Sequence, residues 1–310
     1  MNPALTRAQG ILDVAFGGRV RTSFPLAPLT SFRLGGPAAL YVEPNTMSEL
    51  SAAGEAIVET RIPFVVIGKG SNILVSDAGF PGLVLRLGRG FRWVARDGER
   101  LTAGAAIPLP ALSGVALHHG LTGLEFGVAI PATLGGAIRM NAGAHDHEMC
   151  EVLERIQTYR LREGRAETLV VADAGFGYRR SGLAEDAVVT GGLVRLGPGD
   201  ALEIRATMDE VRGWRKRTQP LAEPNCGSVF TNPEGDHAAR LIEAAGGKGR
   251  RVGGAVVSQK HANFIVVEAG AKAADVVALI REVQALIERS AGVTLQPEVK
   301  LIGAFDDARR

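Results

Sequence analysis

The sequence predicts an α+β protein built in two parts, and three features carry that expectation. Short β-branched runs alternate with capped amphipathic helices, two glycine-rich stretches break the apolar pattern, and the texture shifts near residue 200 to a basic helix followed by turns, helices and short strands. The expected division is a lead-in at 1–25, a larger ligand-binding domain at 26–200 and a smaller α/β domain at 201–305.

With 310 residues, 46% of them hydrophobic and 22% charged, the chain is long enough for more than one substantial core. Forty glycines against 5% aromatic residues imply many close main-chain approaches, as in a protein that wraps a large ligand with backbone. A net charge of +2, with basic clusters at 212–217 and 248–251, is too small for a nucleic-acid binder and suits an anionic small ligand. Cys150 and Cys226 alone give no disulfide framework, so a reducing compartment is expected. The first residues hold no signal-like run, because Asp13 interrupts the apolar stretch 11–16, and no segment has the length of a membrane span. A cytoplasmic protein without membrane attachment is the expectation.

Taken in order, the polar, proline-bearing lead-in reaches Thr30-Ser31-Phe32 and a strand at 39–43. Thr46 and Glu49 have capping-box spacing and open a helix whose Leu50, Ala53, Ala56 and Ile57 share one face, ending before Ile62-Pro63. The segment around which the rest is organised follows. Pro63-Phe64-Val65-Val66-Ile67 leads into Gly68-Lys69-Gly70-Ser71-Asn72, then Ile73-Leu74-Val75 and, past a Gly/Pro turn, a strand at 83–87. This loop joins strand to strand, whereas a dinucleotide fingerprint or P-loop needs a helix after its glycines. Gly68 and Gly70 can take positive φ and let backbone N–H groups converge on an anion beside Lys69, Ser71 and Asn72. From the loop alone the choice stays open between a pyrophosphate cradle and an ordinary hairpin turn.

Strands are expected at 91–95 and 100–103, and Pro108 and Pro110 open a helix ended by Gly120. The second glycine-rich stretch, 123–144, is apolar and suits main chain packed on a flat ligand better than a freely packed helix; a buried structural loop is the alternative. A hairpin is expected from 156–161 and 167–171, then a polar loop at 176–181 and a strand at 187–196. Thr207 and Glu210 predict a basic helix through Arg217, with 225–233 as a turn-rich strand and 236–245 as a helix. A strand at 264–268, a helix carrying Val276 through Ile287 and a strand at 295–301 complete the chain.

Several residues could carry chemistry. His145-Asp146-His147-Glu148 with Cys150 are metal-ligand types, but no second ligand pair stands at suitable spacing, so no metal is expected. Ser228 lacks the Gly-x-Ser-x-Gly elbow of a hydrolase, and a turn serine is the stronger reading. Tyr178-Arg179-Arg180 and Glu298 mean little singly, although a carboxylate in a half-buried strand would need a partner. The arginines of 212–217 read as a wet helix face.

Read together, these residues resemble one family closely, the UDP-N-acetylenolpyruvoylglucosamine reductases of peptidoglycan synthesis in their short form. The matching blocks are Thr30-Ser31-Phe32, 66–75, 130–136 with 140–144, Tyr178-Arg179-x-Ser181, 227–230 with Asn232-Pro233, Ser258-x-Lys260-His261-Ala262-Asn263-Phe264 and Leu295-x-Pro297-Glu298-Val299. They occur in family order and span nearly the whole chain.

The resemblance implies a fold and a cofactor. The expected fold is an FAD-binding domain of the vanillyl-alcohol-oxidase (PCMH) type, in two α/β subdomains, plus a smaller C-terminal α/β substrate-binding domain. Cofactor contacts are implied for Gly68, Lys69, Gly70, Ser71, Asn72 and Ile73 at the pyrophosphate, and for Pro131, Thr133, Gly135, Gly136, Asn141, Ala142 and Gly143 along the flavin. The first loop has no His or Cys, so FAD is expected to be non-covalent.

The implied chemistry has two halves: NADPH reduces the flavin, and hydride then passes to the vinyl carbon of UDP-N-acetylglucosamine-enolpyruvate, giving UDP-N-acetylmuramate. Arg179 and Glu298 match the positions that stabilise the enediolate-like state, Ser228 the proton donor, and Tyr178, Asn232 and Lys260 substrate contacts. NADPH would visit the same cleft as a co-substrate, which accounts for the missing dinucleotide fingerprint. A monomer with no nucleic-acid partner is expected. The chain departs from the family at His145-Asp146-His147-Glu148, where an aromatic-Gly-Gly-Glu run is usual, at Thr231 in place of Lys and at Val267 in place of Asn. The short form also lacks the insertion that carries a diphosphate-contacting Tyr. The alternatives are an FAD-dependent oxidase of the same fold acting on another sugar or alcohol, and a non-enzymatic protein binding a sugar nucleotide or nucleic acid.

Overall fold

The computed structural model describes residues 2–305. The described residues form two compact units, one from 2–22, 40–69 and 82–214, the other from 23–39, 70–81 and 215–305. Numbered in chain order, the α-helices of the described residues are α1 (Pro3–Phe16), α2 (Met47–Thr60), α3 (Leu109–His118), α4 (Leu134–Arg139), α5 (Met149–Val152), α6 (Ala201–Thr218), α7 (Ala238–Ala244) and α8 (Ala273–Ala291).

In the first unit, the expected lead-in is a helix. Asn2 caps α1 by accepting from the Ala4 N–H at 3.0 Å, Pro3 fits the first turn, and Gly17 closes it at φ 56°. Ala8, Leu12 and Phe16, four residues apart, are fully buried with Leu50, Ala53 and Ile57 of α2. The polar, proline-bearing composition of 1–25 carries no element in the expectation, but this spacing is a helical stripe. As expected, α2 starts where Thr46 Oγ1 accepts from the Glu49 N–H (3.1 Å), although Glu49 reaches back to the N–H of Asn45 and not of Thr46. Phe64–Val66 then pairs in parallel with residues 83–85 at one edge of a four-stranded sheet.

The rest of this unit is a five-stranded antiparallel sheet in the order 165–170, 153–160, 187–195, 100–104, 94–97. Helices α3 and α4 share its core, where Leu101, Leu109, Leu112, Leu134, Ile138, Ile156 and Val194 are fully buried. Burying each such side chain stabilises the fold by roughly 1.5–3 kcal/mol. The strand expected at 91–95 is instead a 3₁₀ turn, Arg89–Phe91, followed by the strand Val94–Asp97. Helix α6 also begins earlier than expected, because Asp200 Oδ1 accepts from the N–H groups of Leu202 (2.8 Å) and Glu203 (3.1 Å). Thr207 sits inside the helix and donates its hydroxyl to the Glu203 carbonyl, the back-bond that helical threonines make.

In the second unit, α7 and α8 pack with an antiparallel sheet of 251–252, 255–257 and 265–267, around a core that includes Phe32, Leu74, Val229, Phe230, Ile242, Val276 and Leu295. Helix α8 runs further than its apolar stripe predicted, from a cap at Lys272 to Gly292 in the left-handed region. The strand expected at 225–233 reduces to one bridge between Phe230 and Pro297, and that at 295–301 to Lys300–Ile302, paired in parallel with Ile73–Val75.

Candidate active site

The two glycine-rich stretches meet in the first unit. A Cβ added at Gly68 would stand 2.7 Å from Thr133 Oγ1, so a side chain there would push the two segments apart. Thr133 caps α4 by accepting from the Gly136 N–H at 3.2 Å. Gly135 lets α4 lie on the sheet, because a Cβ at that position would come within 3.0 Å of Ala105 Cβ. The expectation that this stretch avoids helix needs correcting: 134–139 is α4, and Glu125–Ala129 is a 3₁₀ turn. The apolar residues Leu134, Ala137 and Ile138 are buried beneath it, while Pro131, Thr133, Gly135 and Gly136 stay partly or fully exposed and Lys69 is exposed. The result is a surface of main chain and small groups with the exposed Lys69 beside it, which fits the pyrophosphate and flat ring system of FAD.

Past α4 the chain turns through Asn141, buried at φ 41°. Its amide donates to Glu148 Oε2 (2.8 Å) and the Gly177 carbonyl (3.1 Å), and its Oδ1 accepts from the Cys150 N–H (3.0 Å). The other oxygen of Glu148 accepts from Arg179 Nη1 at 3.1 Å, and Arg179 Nη2 donates to the Gly143 carbonyl at 3.0 Å. Arg179 itself sits at φ 56°, with its guanidinium 4.7 Å from the Tyr178 ring centroid. Tyr178, Arg179, Asn141, Ala142 and Gly143 are thus brought together, and Glu148, which sequence reading left inside an unexplained motif, is the group that orients the arginine. The motif's two histidines pack on aromatic rings, His145 on Trp214 (5.0 Å) and His147 on Phe126 (5.9 Å), beside a cavity of 290 Å³.

In the second unit, Gly70 has φ 66°, and a Cβ there would lie 2.0 Å from the Leu29 carbonyl oxygen. Its own carbonyl accepts from the Ser31 N–H (3.0 Å), which gives the Thr30-Ser31-Phe32 block its place. Ser71 and Ile73 are half-buried, and Asn72 donates from Nδ2 to the Glu298 carbonyl at 3.3 Å while its carbonyl accepts from the Lys300 N–H. Ser228 follows Gly227, whose φ of 79° turns the chain. The next residue, Val229, accepts at its carbonyl from the Glu298 N–H at 2.7 Å. Asn72 is therefore tied to Glu298 by its side-chain amide, and the residue after Ser228 to Glu298 by a main-chain bond. Asn232 Oδ1 accepts from the Ala238 N–H at the start of α7, and Lys260 Nζ donates to the Lys216 carbonyl at 2.7 Å.

Two titrating groups border these residues. Burial, helped by the nearby Glu298 charge, pushes the Cys226 thiol far up, so it stays protonated and inert. Burial and Lys248 hold His261 below its ordinary value of 6.5. Of the basic clusters, Arg212, Lys216 and Arg217 lie on the wet face of α6, as expected. Arg215 is half-buried, donates to Gln219 Oε1 at 2.7 Å and has its pKa lowered by burial.

A glycine-lined cofactor surface on an antiparallel sheet, with a second, smaller α/β unit, marks a flavin-dependent oxidoreductase. Residues 38–169 match the family model described as "FAD binding domain", and 219–302 match "UDP-N-acetylenolpyruvoylglucosamine reductase, C-terminal domain". The chain is 46% identical over 288 residues to the UDP-N-acetylenolpyruvoylglucosamine reductase of Anaeromyxobacter sp. (strain Fw109-5), covering 93% of this chain and 90% of the relative. To reductase 2 of that name in Symbiobacterium thermophilum it is 44% identical over 304 residues, covering 98% of each. The crystal structure of the Thermus caldophilus reductase superposes with a TM-score of 0.79 at 38% identity, covering 91% of this chain and 99% of that one. A berberine bridge enzyme variant aligns with 63% of this chain and 44% of its own at a TM-score of 0.50 and 14% identity, a likeness of fold alone. This protein belongs to the UDP-N-acetylenolpyruvoylglucosamine reductase family, and its larger domain is an FAD-binding domain of the vanillyl-alcohol-oxidase type.

Proposed function

We propose that this protein reduces the enolpyruvyl ether of UDP-N-acetylglucosamine-enolpyruvate to UDP-N-acetylmuramate, a step of peptidoglycan synthesis, with NADPH as reductant and FAD as resident cofactor. The observation that carries this reading is the reach of the match, which aligns 98% of the chain with a reductase along 98% of that protein. When bound, FAD supplies the hydride relay between NADPH and the vinyl carbon. Gly68 to Ile73 would hold its pyrophosphate and Pro131, Thr133, Gly135, Gly136 and 141–143 its ring system, without a covalent link, as the first loop offers no His or Cys.

The flavin role belongs to 26–200 and the substrate role to 201–305. Hydride addition at the β carbon drives charge onto the substrate carboxylate; the Arg179 guanidinium stabilises that charge, and Glu298 does so when its carboxyl carries a proton and donates a hydrogen bond, since an ionised carboxylate would repel it. Ser228 gives a proton to the α carbon; a hydroxyl is a weak acid in water, so the rigid placement of its loop matters. Tyr178, Asn232 and Lys260 bind the sugar nucleotide. No helix among the described residues is long and apolar enough to cross a membrane, and the protein works as a cytoplasmic monomer, without nucleic acid. Steady-state assays test the reading. NADPH consumption should require the enolpyruvyl sugar nucleotide and yield a product heavier by two hydrogens. No NADPH consumption with this substrate, together with hydrogen peroxide released from an alcohol or another sugar in air, would assign the chain to the oxidases of this fold.

A further inference from the structure

Ser228 and Glu298 lie on irregular chain, yet their loop is held as firmly as the middle strand of a sheet. On one side the Glu298 N–H donates to the Val229 carbonyl (2.7 Å) and the Thr231 N–H to the Gln296 carbonyl (2.9 Å). On the other side no strand of the described residues pairs with it. One residue, Asn263, takes its place: its main-chain carbonyl accepts from the Val229 N–H at 2.9 Å, its side-chain Oδ1 accepts from the Phe230 N–H at 2.9 Å, and its Nδ2 donates to the Phe230 carbonyl at 2.8 Å. Asn263 is 4% exposed, Phe230 2% and Val229 0%, so water is not available to replace these bonds.

We infer that Asn263 is a positioning residue for the proton-transfer half of the reaction, its carboxamide fixing the 228–230 main chain and with it the Ser228 hydroxyl and the Glu298 backbone. This rests on the reading of Ser228 as proton donor. At neutral pH a primary amide of this length offers one donor and one acceptor side by side to the N–H and C=O of a single residue, which an ionised carboxylate cannot. Alanine leaves both Phe230 groups unpaired in an apolar site. Ionised aspartate satisfies the N–H but turns a second acceptor toward the Phe230 carbonyl. Protonated aspartic acid restores donor and acceptor in the original geometry, and burial beside a carbonyl favours that neutral form. The titratable groups facing this site in the same unit are His261, whose Nδ1 accepts from the Asn263 N–H at 3.3 Å, Glu298 and the Cys226 thiol. They are present in wild type and variant alike, so a rate ratio at each pH removes their titrations.

The experiment is anaerobic stopped-flow on FAD-loaded wild type and Asn263→Asp, following bleaching by NADPH and colour return with UDP-N-acetylglucosamine-enolpyruvate. Bleaching should be unchanged in the variant. Colour return should be slower by about 10²-fold at about pH 8, the scale of a reacting group displaced by an ångström. That deficit should shrink to a few-fold at about pH 5.5, as the buried carboxyl takes up its proton. A variant as fast as wild type at every pH overturns the inference, and so does one equally slow at every pH or slowed in both half-reactions. If wild type itself fails to regain colour with this substrate, it is the proposed function that fails. If Ser228→Ala regains colour normally, the donor role fails, and the positioning inference with it.

Discussion

Two buried asparagines, Asn141 and Asn263, do similar work in chemically opposite settings. Asn141 ties the Gly177 turn and the Cys150 N–H to a charged chain, Glu148 and Arg179, whose side chains keep 27% and 19% of their exposure. Asn263 ties neutral main chain inside an apolar core. A partly wet ionic knot can adjust as charge builds up on a bound carboxylate, and salt weakens it. A dry amide clamp has one geometry, and breaking it incurs the full desolvation cost of the groups left unpaired. The difference matches the roles proposed for the two sides, an electrostatic stabiliser that must respond and a proton donor that must stay put.

Mutations can break or sharpen this contrast. The largest effect is expected from Ser228→Ala, which should leave NADPH bleaching intact and slow colour return by about 10²- to 10⁴-fold, the range for a lost general acid. Next is Glu148→Gln. Its amide nitrogen must face a donor, either Arg179 or Asn141, so turnover should fall by about 10- to 100-fold through a displaced guanidinium; unchanged turnover in steady-state assays would remove Glu148 as the orienting group. Asn141→Gly keeps the positive φ and removes three hydrogen bonds. It should destabilise the protein by about 1–3 kcal/mol in chemical denaturation, the cost of buried groups left unsatisfied.

The smallest effect concerns His261, whose folded pKa lies below its ordinary 6.5 through burial and Lys248. The unfolded chain therefore binds the proton first as pH falls. This contribution to stability is complete above about pH 6.5 and is lost as pH drops toward the folded value. His261→Gln should flatten the melting temperature against pH over that window.

What could be read beforehand follows a physical line. Helix α2, the apolar stripe of α8, the antiparallel hairpin and the strand–loop–strand around Gly68 were legible because each is set by local spacing or caps. Helix α1 was missed because its polar, proline-bearing composition hid the Ala8, Leu12 and Phe16 stripe, and the start of α6 because Thr-x-x-Glu spacing recurs inside a helix that Asp200 caps better. The asparagines stayed hidden for another reason. Asn263 meets Phe230 across 33 residues and Asn72 meets Glu298 across 226, pairings that no local pattern encodes. The family resemblance flagged Asn141 as a cofactor contact, but not its grip on the residue that orients Arg179.

The most direct measurement is the colour of the purified protein without oxygen. A flavin spectrum that NADPH bleaches, and that returns when UDP-N-acetylglucosamine-enolpyruvate alone is added, is the predicted result. A bleached protein whose colour returns only on admitting oxygen, or a preparation that binds no flavin, would contradict it.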